Sequence, residues 1–355
     1  MAYTDIDDPT AYFQSNLHTG NSGTNAITFS GNSDLQPDWI WIKERGATGS
    51  HVLTDIVRGI TKQLYSNDSQ AENTNSSSVT AIGSNGFTLG NRADVNNNSD
   101  TYVSWNWKAG GAASSNTDGT QTSSVSVNQD AGFSIVTYTG GNTNDSSDNV
   151  GHGLGVIPSM IITKVRNGTT GWIVGHKDIG WNDQLVLNTT AAESVNNRSY
   201  GVNTNPTSSV FTVAQNGGDY ITNSGGTFVS YCFAEKKGYS KFGSYTGNGS
   251  TDGAFVYTGF KPAFVIAKDT SAANNWRLFD NKRPAFNQTD KLLFPSLSDA
   301  ETVNVSGAGA IDILSNGFKI RSSANGLNAS GSNYIFMCFA ENPFVTSTGV
   351  PATAR

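Results

Sequence analysis

The chain has 355 residues, enough for two or three domains, and carries a net charge of −6 with only 14% charged residues. Its 39 glycines and 9 prolines stand among abundant Asn, Ser and Thr, which excludes a coiled coil rich in Ala, Glu, Lys and Leu and a collagen, whose glycines recur every third residue. The 10% aromatic content and low net charge exclude a disordered chain. What remains is the mix of turn formers with aromatic and β-branched residues that marks an all-β protein.

Other classes fall away as quickly. Lys and Arg form no large cluster, so the basic footprint of a nucleic-acid binder is missing and no nucleic-acid partner is expected. Nothing approaches an apolar run of about 18 residues, so no membrane insertion is expected. Two cysteines exclude a disulfide scaffold. The opening, Met1 to Thr10, is acidic and lacks an apolar centre, which predicts no secretory signal and synthesis in a cytosol.

Taken in order, the elements form one pattern three times. A strand runs into Thr19-Gly20, Thr139-Gly140 and Thr246-Gly247. A proline then precedes an apolar run that ends in lysine: Pro37 to Lys43, Pro158 to Lys164 and Pro262 to Lys268, with the same separation each time. Segments ending Ala-Glu follow, closing on Glu72, Glu193 and Glu301. Short strands are centred on Phe87, Phe211 and Phe318, and each copy closes on an aromatic strand: Tyr102 to Trp107, Phe228 to Phe233 and Tyr334 to Phe339. Runs such as Trp39-Ile40-Trp41-Ile42 are apolar on both faces and read as strands covered on two sides. Asn-Gly pairs supply tight turns. No amphipathic helix is expected; Asp55 to Thr61 is the best candidate for a helical turn.

The expected architecture is therefore three tandem antiparallel β-sandwich domains of jelly-roll or lectin-like type. Residues 1–11 form an arm, 12–108 the first repeat, 109–132 a Gly/Ser/Thr linker, 133–235 the second repeat, 236–241 a short linker, 242–341 the third repeat and 342–355 a tail. The units are expected to sit as beads on a string, with the first the most divergent because its closing strand reads Trp-Asn-Trp.

No catalytic, cofactor or metal site is expected. His18, His51, His152 and His176 lack partners at metal-ligand spacing, and no nucleophile elbow or phosphate loop is present. Asp5, Asp7 and Asp8 read as a solvated arm rather than a calcium loop. The recurring residues Lys43, Lys164 and Lys268 with Glu72, Glu193 and Glu301 predict a partly buried Lys–Glu strut in each unit. Trp181, Tyr200 and Tyr220 lie in polar surroundings and are the candidates for surface glycan contact. Cys232 and Cys338 fall at the same place in two closing strands, which predicts two separate, buried thiols.

Met1 to Pro9 with Tyr12-Phe13, Leu35 to Trp39, Val57-Arg58-Gly59, Trp105 to Gly111, Val150 to Gly155 and Phe339 to Phe344 resemble virion proteins of marine tailed phages. The resemblance covers nearly the whole chain and transfers no catalytic residue. It implies a non-enzymatic virion structural protein: a tail fibre or appendage contacting the host surface, or alternatively a capsid decoration protein. A polysaccharide-degrading enzyme is the third reading. The partners implied are other virion proteins, further copies of the chain in a trimer, and a host glycan or protein.

Overall fold

The computed structural model describes residues 4–141, 148–195, 200, 204–214, 221–284, 286–303 and 309–353. Strands take up 43% of the described residues and helix 3%, so the all-β class holds. Asp55 to Thr61 makes turns without a helix.

Each repeat builds one large antiparallel sheet from four equivalent strands. The opening strands are Phe13–Thr19, Phe133–Thr139 and Ser240–Thr246. The proline strands are Trp39–Glu44, Met160–Val165 and Phe260–Asp269. Return strands follow at Val52–Asp55, Ile173–His176 and Arg277–Asp280, and closing strands at Thr101–Trp107, Thr227–Phe233 and Asn333–Pro343. Their lateral order is opening, closing, proline, return in all three. The register agrees too: Trp39 faces Trp107, Met160 faces Phe233 and Phe264 faces Phe339. Pro37 and Pro158 stand just ahead of their strands, and Pro262 lies at a bulge, where a missing N–H breaks no regular ladder. The Thr-Gly turns recur because a Cβ at Gly20, Gly140 or Gly247 would stand 2.0, 2.5 or 2.2 Å from the carbonyl oxygen of Asn97, Asn223 or Ala329.

A small sheet covers the outer face of each large one. It pairs Asn25–Thr28 with Gly86–Leu89, Asn149–Gly151 with Val210–Thr212, and Phe255–Tyr257 with Gly317–Ile320. Three separate cores fill the space between, holding Ile40, Ile42 and Tyr102 in the first unit, Ile161, Phe228 and Cys232 in the second, and Val265, Phe336 and Cys338 in the third.

The inner faces correct the beads-on-a-string expectation. Trp39, Trp41, Trp105 and Trp107 share one hydrophobic core with Phe133, Met160, Tyr231 and Phe233 and with Phe264, Trp276, Met337 and Phe339. Rings from different units lie in direct contact: Trp39 stacks on Tyr231 with centroids 4.3 Å apart, Phe13 on Phe339 at 5.3 Å, and Trp107 meets Phe264 edge-on at 5.4 Å. Strand alternation explains why these runs are apolar on both faces: successive positions serve the shared core and the unit's own core in turn. The three sheets are one body.

The proposed linkers are also structured. Residues 109–132 contain two strands, Ser114–Asn116 and Ser123–Asn128, which extend the second unit's sheet beyond Phe133–Thr139. Ala109 joins the shared core. Lys236 bridges Ser240, so 236–241 is a tight turn into the third unit. The arm is tied down as well: the Asp5 N–H donates to the Lys237 carbonyl at 3.0 Å, Asp7 accepts from Ser347, and Ile6 enters the shared core. The tail segment that continues the third unit's closing strand pairs Val345 with Pro351.

Candidate functional site

The three units touch in a closed cycle, and the same contacts recur at each junction. At the end of each proline strand stand Arg45, Arg166 and Thr270. Their N–H groups donate to the carbonyls of Thr101, Thr227 and Asn333 in the closing strand of the same unit, at 2.8, 2.7 and 2.9 Å. Their own carbonyls accept from Glu301, Glu72 and Glu193 of a different unit, at 2.8, 2.7 and 2.9 Å. Unit one thus grips unit three, unit two grips unit one, and unit three grips unit two, the geometry of a closed ring of head-to-tail contacts made within one chain.

Side chains reinforce two junctions. Arg45 makes a bidentate pair with Glu301 at 2.9 and 3.0 Å. Arg166 does the same to Glu72 at 3.0 Å for both bonds. Planar, two-bond pairing of this kind is the strong form of the interaction. Each glutamate also meets a second arginine from its own unit: Arg58 reaches Glu72 at 3.0 Å and Arg283 reaches Glu301 at 3.4 Å.

Those inner arginines sit in buried networks. Arg58 pairs with Asp55 at 2.5 Å and donates to the Leu53 carbonyl at 3.1 Å. Arg283 pairs with Asp280 at 2.6 Å and donates to the Leu278 carbonyl at 3.0 Å. All four charged side chains are wholly buried. Each aspartate takes one more bond across a junction: the Tyr231 hydroxyl donates to Asp55 at 2.8 Å, and the Trp105 indole N–H donates to Asp280 at 3.2 Å. Burial opposes the Glu72 and Glu301 anions, but the guanidinium groups outweigh it and hold both below the usual carboxylate range.

The third junction lacks all of this. Thr270 stands where Arg45 and Arg166 stand, His176 occupies the place of Asp55 and Asp280, and Ile179 that of Arg58 and Arg283. The register proves the match, since Met160 faces His176 as Trp39 faces Asp55 and Phe264 faces Asp280. Burial pushes His176 down to about 4, with Asp178 opposing, so the imidazole is neutral near pH 7. Glu193 has lost both arginines. Burial and a hydrogen-bonded Asp183 carboxyl raise it to about 7. A cavity of about 390 Å³ opens here, lined by Glu193, Asp178, Ile179, Thr270, Tyr245 and Tyr334 among others. It faces solvent through Asp178, Ser244 and Thr246, which are exposed.

This carboxyl pair bears on the enzyme reading. Its spacing argues against glycoside cleavage, because two acids in direct hydrogen bond share a proton, whereas that chemistry needs them roughly 5–10 Å apart with the sugar between. Nor does a metal site arise: among the described residues no three His, Cys, Asp or Glu side chains converge.

The Lys–Glu struts take a different form from the one expected. Lys43, Lys164 and Lys268 are buried and donate to main-chain carbonyls instead: Glu44 at 2.6 Å, Val165 at 2.8 Å and Asp269 at 2.5 Å, with Ala47, Gly168 and Ala272 as second acceptors. Each lysine therefore pins the turn after its strand. Burial brings Lys43 and Lys268 down to about 8. The recurring partner of the glutamates is arginine from a neighbouring unit, two residues beyond the lysine.

Two of the three glycan candidates are buried. Trp181 and Tyr200 lie in the second unit's own core, edge to face at 5.8 Å. The Tyr200 hydroxyl serves the Ile161 carbonyl and the Thr163 hydroxyl, both at 3.1 Å. Tyr220 lies outside the described residues. The four histidines do not converge; His51, buried, accepts from the Trp41 indole N–H at 2.8 Å. Asp8 caps the short turn Pro9–Ala11 and accepts from Ser33 at 2.6 Å. Cys232 and Cys338 are free and buried in separate cores, and burial raises both thiols.

Units one and three thus share the buried Asp–Arg network and unit two departs from it, while the Trp-Asn-Trp closing strand still sets the first unit apart. Fold and junctions together define an all-β chain whose three antiparallel sheet units close in a cycle, with ionic ties at two junctions and a main-chain bond alone at the third. Residues 8–343 match the model of a domain of unknown function, DUF7483, and the chain belongs to that family. The matched span runs from the capped turn to the end of the last closing strand, the same body that shares the central core. No curated protein and no solved structure matches the chain.

Proposed function

We propose that the chain is a structural component of a tailed-phage particle, a tail fibre or similar appendage that contacts the host surface. The sequence resemblance described above supplies the direction. One observation carries it: three antiparallel sheet units close into a ring around a shared aromatic core, with arm and tail tied to the same body. Main-chain bonds tie every junction of such a body, and slow opening of packed sheets limits proteolysis of an exposed particle. The ring is completed by one chain, so burying the central core needs no further copies, and a trimer would have to form through other surfaces.

The cyclic contacts also favour the capsid-decoration reading, because three similar units about one axis fit a seat where three shell subunits meet. Copy number separates the two. Quantitative mass spectrometry of purified particles, with antibody labelling in cryo-EM, should find a few copies at the tail for an appendage and a symmetric coat of many copies for decoration. Absence from purified particles would sink both.

A further inference from the structure

We propose that the cavity at the junction of the second and third units is a receptor for a guanidinium group, an arginine side chain presented by another molecule. The argument rests on the two sister junctions. There, a glutamate whose N–H is bound by the neighbouring unit's main chain accepts two bonds from a guanidinium. At the third junction that main-chain bond survives, Glu193 to Thr270 at 2.9 Å, while Thr270 and Ile179 stand where the arginines do and His176 where the buried aspartate does. The receiving carboxylate is kept and its guest position is vacated.

The walls fit the guest. Tyr245 and Tyr334 stack with centroids 4.9 Å apart and line the cavity. Tyr138, stacked on Phe228 at 5.2 Å, shares a depression with Arg166 at the sister junction. A guanidinium plane packs well against such rings, and a lysine ammonium lacks the planar two-bond fork. The volume of about 390 Å³ falls within the range of small-ligand sites, about 300–1,000 Å³. Among the described residues the charged groups at this pocket include Asp183, hydrogen-bonded to Glu193, and Asp178 with its partner Lys177, and the Lys268 ammonium lies 3.4 Å from the Thr190 carbonyl. A guanidinium guest would displace the shared proton of Glu193 and Asp183, so binding should tighten from pH 5 to pH 8.

The test is titration of the whole chain with N-acetyl-arginine amide, N-acetyl-lysine amide and a Gly-Arg-Gly peptide, read by calorimetry and by NMR shifts at Thr270 and Tyr334. Saturable binding of the arginine compounds is expected, about tenfold or more tighter than the lysine compound. A tighter peptide points to a protein-borne arginine and equal affinities to a small guanidinium compound; either supports the site. E193Q should weaken binding about tenfold. T270R should fill the cavity in cis and abolish binding, and I179R is a second way to fill it. No binding to the wild-type chain, equal binding of the lysine compound, or binding that survives E193Q in a folded protein would overturn the proposal. Because these readouts need no particle, a failed virion assignment leaves them intact.

Discussion

The Glu193 N–H donates to the Thr270 carbonyl at 2.9 Å, the same bond that joins Glu72 to Arg166 and Glu301 to Arg45, yet the Thr270 side chain offers Glu193 no charge. Thr270, His176 and Ile179 together separate this joint from the two ionic ties. The main chain keeps the ring closed at all three, so the side chains at the third are free to differ.

Opposite pH responses follow at the junctions. Glu193 is raised to about 7 from an ordinary 4.5, so between those values the folded state holds a proton that the unfolded state has released. Its contribution is complete below about pH 4.5 and is lost as the pH climbs through 7. Glu72 and Glu301 are held low; their contribution is complete above about 4.5 and is lost in acid. Hydrogen exchange at the Glu193, Glu72 and Glu301 amides should show the third junction loosening from pH 5 to 8 while the other two stay closed. For a group as exposed as Glu193, the difference should be on the order of 1 kcal/mol after solvent screening, and E193Q should flatten it. Parallel pH behaviour at all three amides would contradict the assignment.

Arg58 and Arg45 should behave very differently when shortened. Arg58→Met leaves the Asp55 carboxylate wholly buried without its cation, at a cost of about 3–5 kcal/mol. Arg45→Met removes a partly exposed partner of Glu301, which keeps Arg283, and should cost about 1 kcal/mol or less. Asp55→Leu combined with Arg58→Met should recover part of the first loss, since no charge is then stranded. Urea midpoints at neutral pH decide the order; equal losses would mean the buried network is not a distinct contributor.

Much of this fold was legible because each anchor has a local physical reason. The proline stands ahead of its strand or at a bulge in it, the glycine allows a close approach, and the lysine pins a turn, so spacing survives where side chains drift. The shared core was not legible. Trp39-Ile40-Trp41-Ile42 shows that both faces are covered, but periodicity cannot say that one cover is a small sheet and the other two further units. Residues 109–132 misled through composition, because Ser and Asn on an exposed hairpin edge look like linker. The glutamates stood out as recurring, yet their partners lie two residues past the lysines, and at Thr270 the pattern breaks. A comparison of Arg45 with Arg166 and Arg58 with Arg283 was the available signal. Trp181 and Tyr200 misled in the reverse sense: polar neighbours in sequence say nothing of the apolar pocket above Gly175, where a Cβ would meet the Tyr200 ring at 2.7 Å.

A single unit should not fold alone. Cut out, residues 240–343 would expose Phe264, Ile266, Trp276, Met337 and Phe339, which the intact chain buries against the other units. An apolar face of that kind promotes association. The intact chain should melt in one transition seen alike by fluorescence and circular dichroism, and the fragment should lack a cooperative melt. Three separable transitions, or a soluble and well-dispersed fragment, would restore the beads-on-a-string picture.

The thiols give a test that needs no variant. Cys232 belongs to the core of the second unit and Cys338 to that of the third, each on the outer face of its closing strand. Neither is solvent-exposed, and burial raises both above the usual thiol range, so the thiolate that reacts is scarce for two reasons. A thiol reagent should find almost no reaction in the native protein and two equivalents in denaturant. Because the shared core couples the units, both should become reactive together along a urea titration. If Cys232 reacts at lower urea than Cys338, the second unit, which lacks the Asp–Arg network, opens ahead of the third, and the ring is not one cooperative body.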